Sequence, residues 1–106
     1  MSVDPELDAD DFMAAVQAVV ARAPALSPLD AGLLVALGHG VIADTRAFAK
    51  AFGIAHALAL RAASELAEGA GYVEATARDP RTQRTRLTLT ESGRRLLAGE
   101  RTLIAA

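Results

Sequence analysis

The sequence predicts a mainly helical α+β domain, and three observations predict it. Several stretches bounded by capping residues, glycines and prolines carry apolar residues at helical spacing. Near the carboxyl end, two runs, Tyr72 to Ala77 and Thr85 to Leu89, place β-branched and apolar residues at alternate positions around Asp79-Pro80, which supplies turn chemistry. A capped helix then follows directly on the second run. A chain of 106 residues, 52% hydrophobic, has material for one domain with a single modest core. Together these elements describe a winged helix-turn-helix arrangement of about five helices and a two- to three-stranded antiparallel wing.

Each element has a local reason. Asp4-Pro5 offers an N-cap and a proline at the first helical position, and Leu7, Phe12, Val16, Val19 and Val20 form an apolar stripe up to Arg22-Ala23-Pro24. Ser27-Pro28-Leu29-Asp30 repeats that logic; Leu29, Leu33, Leu34 and Leu37 continue a second helix, stopped by Gly38 and Gly40. Val41-Ile42 is long enough for one small strand. Asp44 or Thr45 caps a third helix over Arg46 to Phe52, with Phe48, Ala49 and Phe52 facing inward, and Gly53 makes the turn. A fourth helix from about Ala55 to Gly69 is released by glycine into the hairpin. Thr90 then caps a last helix with Leu96, Leu97, Leu103 and Ile104 on one side.

The net charge of −2 conceals a polarised distribution. Five acids lie within the first eleven residues, and the other 95 residues carry eleven positive against eight negative charges, a net +3. Between Arg78 and Arg95 six arginines face two acids. Arg78, Arg81, Arg84 and Arg86 crowd the hairpin tip and its flanks, and guanidinium forks on a protruding hairpin suit phosphate. The absence of cysteine excludes disulfides and thiolate metal sites, and two histidines are too few for a metal centre. No leader or membrane-length apolar run is present, so a cytoplasmic location without membrane association is expected. No cofactor is expected. With no nucleophile–histidine–carboxylate grouping and no glycine-rich phosphate loop, an enzyme is not expected either.

The segments LSPLDAGLLVAL, FAKAFGI, Arg61 with Leu66, GYVE and RDPRTQRTRLTLTESGRRLL resemble the MarR-type winged helix-turn-helix family of bacterial transcription regulators. The resemblance runs from roughly Leu26 to Leu97, and its most specific part is Asp79-Pro80, the following Arg84, and Leu89-Thr90-Glu91-Ser92-Gly93. It implies that the fourth helix enters the major groove of double-stranded DNA, that the wing arginine reaches the adjacent minor groove, and that the protein is a homodimer joined through its N- and C-terminal helices. The implied domain organisation is an acidic segment and helix over 1–24, the winged helix-turn-helix over 25–97, and the end of the last helix over 98–106.

The fourth helix departs from the family, whose recognition helix opens with a polar run. Here it reads Ala55-His56-Ala57-Leu58-Ala59-Leu60-Arg61-Ala62-Ala63-Ser64, so His56, Arg61 and Ser64 alone offer polar groups to base edges, while Ala57 and Leu60 could at best touch a thymine methyl. The loop that follows is one residue longer than usual, at Glu68-Gly69-Ala70-Gly71.

The candidate DNA-binding residues are therefore Thr45, Arg46, His56, Ala57, Leu60, Arg61, Ser64, Arg78, Arg81, Arg84 and Arg86. Each has a plainer alternative. Arg84 is read as a minor-groove probe or as a partner of Asp79, and Arg61 as a DNA contact or as a partner of Glu65 one turn later. Thr45 is read as a cap that also donates to phosphate at a helix amino terminus. For the whole chain the alternative is a winged helix that no longer reads DNA and binds a protein through Ala57, Leu58 and Leu60.

Overall fold

The second helix sits at the centre of the molecule because its sequence leaves it no polar face. In the computed structural model, which describes residues 8–99, the chain runs α1 (Ala9–Arg22), α2 (Pro28–Gly38), α3 (Thr45–Phe52), α4 (His56–Ser64), a π-helical turn (Glu65–Ala70), β1 (Val73–Arg78), β2 (Thr85–Leu89) and α5 (Glu91–Ala98). Every residue from Asp30 to Ala36 is buried, and α2 packs against α1, α4, α5 and β2. A helix apolar on all sides belongs inside. Leu33, Leu34 and Val35 lose all solvent contact there, each contributing about 1.5–3 kcal/mol of apolar burial. Ser27 caps α2 by accepting the Asp30 N–H at 3.0 Å.

α1 buries Val16 and Val19 against this centre. Asp8 caps it, accepting the Asp11 N–H at 2.9 Å; the expected Asp4-Pro5 start and Leu7 lie outside the described residues, as do Leu103 and Ile104. At the other end Arg22 donates through Nε and Nη2 to the Leu96 carbonyl at 3.0 and 2.8 Å, tying α1 to the last turn of α5.

Two expectations are corrected here. Val41-Ile42 is not a strand: Ile42 is buried and Val41 is 44% exposed. Pairing comes two residues later, where Leu87 N–H donates to Ala43 O at 3.0 Å and Asp44 forms a single bridge with Arg86. Asp44 is already the cap of α3, so the extended stretch ends before a ladder can form, and the sheet has two strands. Phe52, expected inside, is 36% exposed; it rests on Phe48 and Phe12 at ring separations of 4.5 and 5.3 Å. Phe48 and Ala49 are buried as expected.

The fourth helix also differs from a continuous stretch to Gly69. After Ser64 it widens into π-helical geometry over Glu65–Ala70, whose hydrogen bonds reach one residue further along the chain than those of an α-helix. Leu66 anchors that turn with no exposure. Gly71, at φ +72°, ends it, and Tyr72 N–H donates back to Leu66 O at 2.9 Å.

β1 and β2 pair antiparallel from Val73↔Leu89 to Arg78↔Thr85, with an irregularity between Ala75 and Ala77. β2 alternates cleanly, with Thr85 and Leu87 buried and Arg86 and Thr88 exposed, whereas β1 buries Val73 alone. α5 starts where Thr90 accepts the Gly93 N–H at 3.1 Å and donates to Gly71 O at 2.7 Å. Gly93 is obligatory: a Cβ at this position would run into the Tyr72 carbonyl oxygen. The Leu-Thr-x-x-Gly signature thus marks the joint between hairpin and last helix. The result is a mainly helical α+β domain with five helices and a two-stranded antiparallel sheet, an arrangement compatible with a winged helix. Among the described residues no helix is long and apolar enough to cross a membrane.

Candidate nucleic-acid interface

The hairpin tip is built around Asp79. Its Oδ1 accepts backbone N–H groups from Arg81 at 2.8 Å and Thr82 at 3.4 Å, while Asp79 N–H donates to Arg84 O at 2.9 Å and Asp79 O accepts from Gln83 N–H at 2.7 Å. Gln83 adopts φ +67°, a left-handed conformation closing the turn, and its side chain donates to Pro80 O at 3.2 Å. An aspartate that satisfies its own turn is a common loop device. Asp79 is therefore occupied by backbone, and the acidic partner of Arg84 is instead Asp44, at 3.8 Å from Nε. Asp44 serves two purposes: Oδ1 caps α3 by accepting Ala47 N–H at 2.7 Å, and Oδ2 faces the hairpin arginine.

Arg78, Arg84 and Arg86, with Ala77, Asp79 and Pro80, line an open cleft of about 440 Å³. Arg78 is steadied by donating from Nε to Thr85 Oγ1 at 3.3 Å. Arg81 is exposed at the tip. The other two arginines of the basic run belong elsewhere: Arg94 donates to Leu89 O at 3.0 Å and Arg95 pairs with Glu91 at 2.9 Å, both on α5.

Beneath the hairpin lies a buried polar junction. Thr45, the first residue of α3, has no exposure; its Oγ1 accepts Thr85 N–H of β2 at 3.1 Å and lies 2.7 Å from His56 Nε2 at the first residue of α4. Its hydroxyl is thus spent inside the protein rather than offered to solvent. His56 is half-buried. Its pKa is lowered from 6.5, first by burial and then by the Arg46 and Arg84 charges, with Asp44 opposing. Charges from α3 and from the hairpin thus both act on the His56 ring at the start of α4.

On α4 itself, Ala57, Leu58 and Ser64 are exposed, Leu58 at 44%, and Leu60 is half-buried. The helix has no side-chain cap. Arg61 is exposed but engaged with Glu65 at 3.3 Å, and its interactions run toward the far end of α4 rather than to the hairpin arginines. There Glu65 meets Asp30 of α2, which is 5% exposed. Burial foremost, then hydrogen bonding and repulsion from Glu65, push the Asp30 carboxyl up to about 6, against the pull of Ser27 and Arg61.

The ion pair of Asp44 with Arg84, the Thr45 junction and the Asp30–Glu65 pair all escaped sequence reasoning. Asp44 was legible as a cap, and Glu65 as an i,i+4 partner of Arg61; the long-range partners carried no local signal. Among the described residues no group of three His, Asp or Glu side chains is placed to hold a metal ion. Comparison of the chain with protein-family models, with curated proteins and with solved structures returns no match.

Proposed function

We propose that the protein is a winged helix-turn-helix DNA-binding transcription regulator of MarR type, acting in the cytoplasm as a homodimer without enzymatic activity. The observation that supports this best is the convergence of Arg78, Arg84 and Arg86 on one cleft, with the Arg46 and Arg84 charges both acting on His56 at the start of α4. β1 and β2 form the wing and α4 is the recognition helix. The Arg84–Asp44 pair is long and the Arg84 side chain is 57% exposed; a pair of that kind holds little energy, so a phosphate displaces Asp44 at small cost. The terminal helices α1 and α5 carry the dimer contact, α1 presenting Met13 at 49% exposure.

Affinity in this reading comes from the wing and Arg46, through phosphate, and sequence selectivity is low. A single bidentate base contact gives roughly 1–3 kcal/mol of discrimination, and α4 offers Arg61 and Ser64 where several polar residues are usual. A dimer that neutralises about six to eight phosphates loses affinity with salt at a log–log slope near −0.9 per phosphate. The test is a fluorescence-anisotropy titration of the wild type and Arg84→Ala against a mixed-sequence duplex and the protein's own promoter fragment, at low and physiological salt. Salt-dependent binding weakened by on the order of tenfold in the variant, the loss of one charge-assisted contact of about 1.5 kcal/mol, is the expected result; no binding at low salt overturns the reading.

The exposure of Leu58 beside Ala57 favours a second reading, in which α4 docks a protein partner through its apolar face. A Leu58→Asp variant then loses that partner, while Arg84→Ala keeps it.

A further inference from the structure

The elements proposed to meet DNA are joined to one another by a single buried hydroxyl, that of Thr45. It starts α3, touches the first residue of α4 and holds the first residue of β2. We propose that His56 is a positioning residue which, in its neutral Nδ1–H form only, locks α4 to the hairpin through Thr45.

The hydrogen inventory decides the tautomer. Thr45 Oγ1 has one proton to donate and already accepts from Thr85 N–H at 3.1 Å. The side chain is fully buried, so its proton needs a partner inside the protein, and the ring nitrogen at 2.7 Å is that partner. Nε2 of His56 therefore accepts, and the ring proton sits on Nδ1. In the imidazolium both ring nitrogens are donors. Protonation would turn Nε2 toward Oγ1 as a second donor and leave the Thr45 proton without an acceptor, in a site with no water access on the threonine side. The charged groups facing the ring from the packed elements are Arg46 and Asp44 at the start of α3 and Arg84 of the hairpin. Two of the three are cations, so the surroundings disfavour an added proton as well.

The link matters because it holds the tip end of β2, whereas α2 and α5 hold the other end of the hairpin, where Arg94 donates to Leu89 O. Leu87 N–H to Ala43 O, the backbone bridge of Asp44 with Arg86 and the exposed Asp44–Arg84 ion pair complete the seam with the start of α3, all between Arg84 and Leu87. Opening the Thr45 node frees the first residue of β2 and with it the wing-tip arginines, whose placement relative to α4 sets whether both bind one duplex.

The locking itself is independent of any ligand; only its consequence for DNA rests on the proposed function. Nitrogen-15 NMR of the histidine ring in the full chain at about pH 8 is expected to show Nδ1–H for His56, and an Nε2–H ring overturns the proposal. Amide exchange is then followed from about pH 8 to about pH 5, each rate corrected for intrinsic exchange. Protection at Thr85 is expected to fall on acidification relative to Leu34 of α2, which reports global opening, by on the order of tenfold, the worth of about one hydrogen bond. His56→Gln, whose amide oxygen accepts from Thr45 without titrating, is expected to keep Thr85 protected throughout. The same profile in wild type and His56→Gln overturns the proposal. At neutral pH, Thr45→Val is expected to weaken binding of a mixed-sequence duplex and Thr45→Ser to restore it, with Thr85 protection following the same order; failure of serine to restore Thr85 protection overturns it. Should Thr85 behave as expected while no variant binds DNA, the lock stands and the DNA reading fails.

Discussion

Each end of α4 meets one polar side chain that is buried, Thr45 at the start and Asp30 at the far end, and the titratable groups at the two ends respond to protons in opposite directions. At the amino end His56 is kept neutral beside Thr45, with Arg46 and Arg84 repelling a proton. At the carboxyl end Asp30 and Glu65 repel each other's charge, and the buried Asp30 holds its proton up to about pH 6. His56 has its folded pKa lowered, so the stability it contributes is present above its unfolded value of 6.5 and is lost as pH falls through the lower folded value. Asp30 has its pKa raised, so its contribution is complete below 3.8 and is lost as pH rises through about 6. Across mildly acidic pH one end of such a helix gains stability while the other loses it. The comparison teaches that the edge of a modest apolar core tolerates a half-buried histidine and a carboxyl pair when each borders a different element: the hairpin at one end, α2 at the other.

The sharpest way to break the comparison is to remove what holds the carboxyl end regardless of charge. Leu66 is completely buried in the π-helical turn, and Leu66→Ala should cost about 2–5 kcal/mol of unfolding free energy in urea denaturation. Thr45→Val attacks the amino end at constant volume. It leaves Thr85 N–H and His56 Nε2 without their partner, and the same measurement should give a loss of about 1–3 kcal/mol.

Asp30→Asn tests the opposing titrations directly. The neutral amide can donate to Glu65 without the burial cost of a charge, so the variant should be more stable than wild type at pH 8, by up to about 2 kcal/mol, and no more stable at pH 4. Its stability should then fall as pH drops below 6.5, the His56 slope alone, whereas His56→Gln should become more stable over the same interval, the Asp30 slope alone. Thermal melts across pH would show both; parallel profiles for the two variants would refute the opposition. Arg61→Ala should produce the smallest change, within about 0.5 kcal/mol, because its pair with Glu65 is exposed. It should nevertheless raise the Asp30 pKa further, read by carbon-13 NMR titration of the carboxyl, since Arg61 is the cation opposing that rise.

Much of the architecture was legible residue by residue. Ser27-Pro28, Asp44, Gly53 and Thr90 punctuate the helices where caps and left-handed turns demand them, and Thr85 to Leu89 alternates along β2. The misreadings have common causes. Val41-Ile42 has strand composition but sits too close to the α3 cap to pair, and Phe52 follows the helical stripe yet lies past the edge of the core. The π-helical turn after Ser64 was not read from the sequence, because nothing local in Glu65 to Ala70 says that the helix widens there. Of the candidate site, the arginine-rich hairpin was visible as a charge cluster; the occupied hydroxyl of Thr45 was not.

By itself the sequence determined the order of the helices and the hairpin, the caps at Ser27, Asp44 and Thr90 and the polarised charge, because caps, turns and periodicity act over three or four residues and need no distant partner. Tertiary structure alone decided which acid faces Arg84, that Thr45 joins α3, α4 and β2, and that Asp30 is set against Glu65. Those outcomes depend on groups 11 to 40 residues apart in the sequence meeting in space, and at the buried Thr45 and Asp30 a donor or charge without a partner costs more than the local preferences that brought it there.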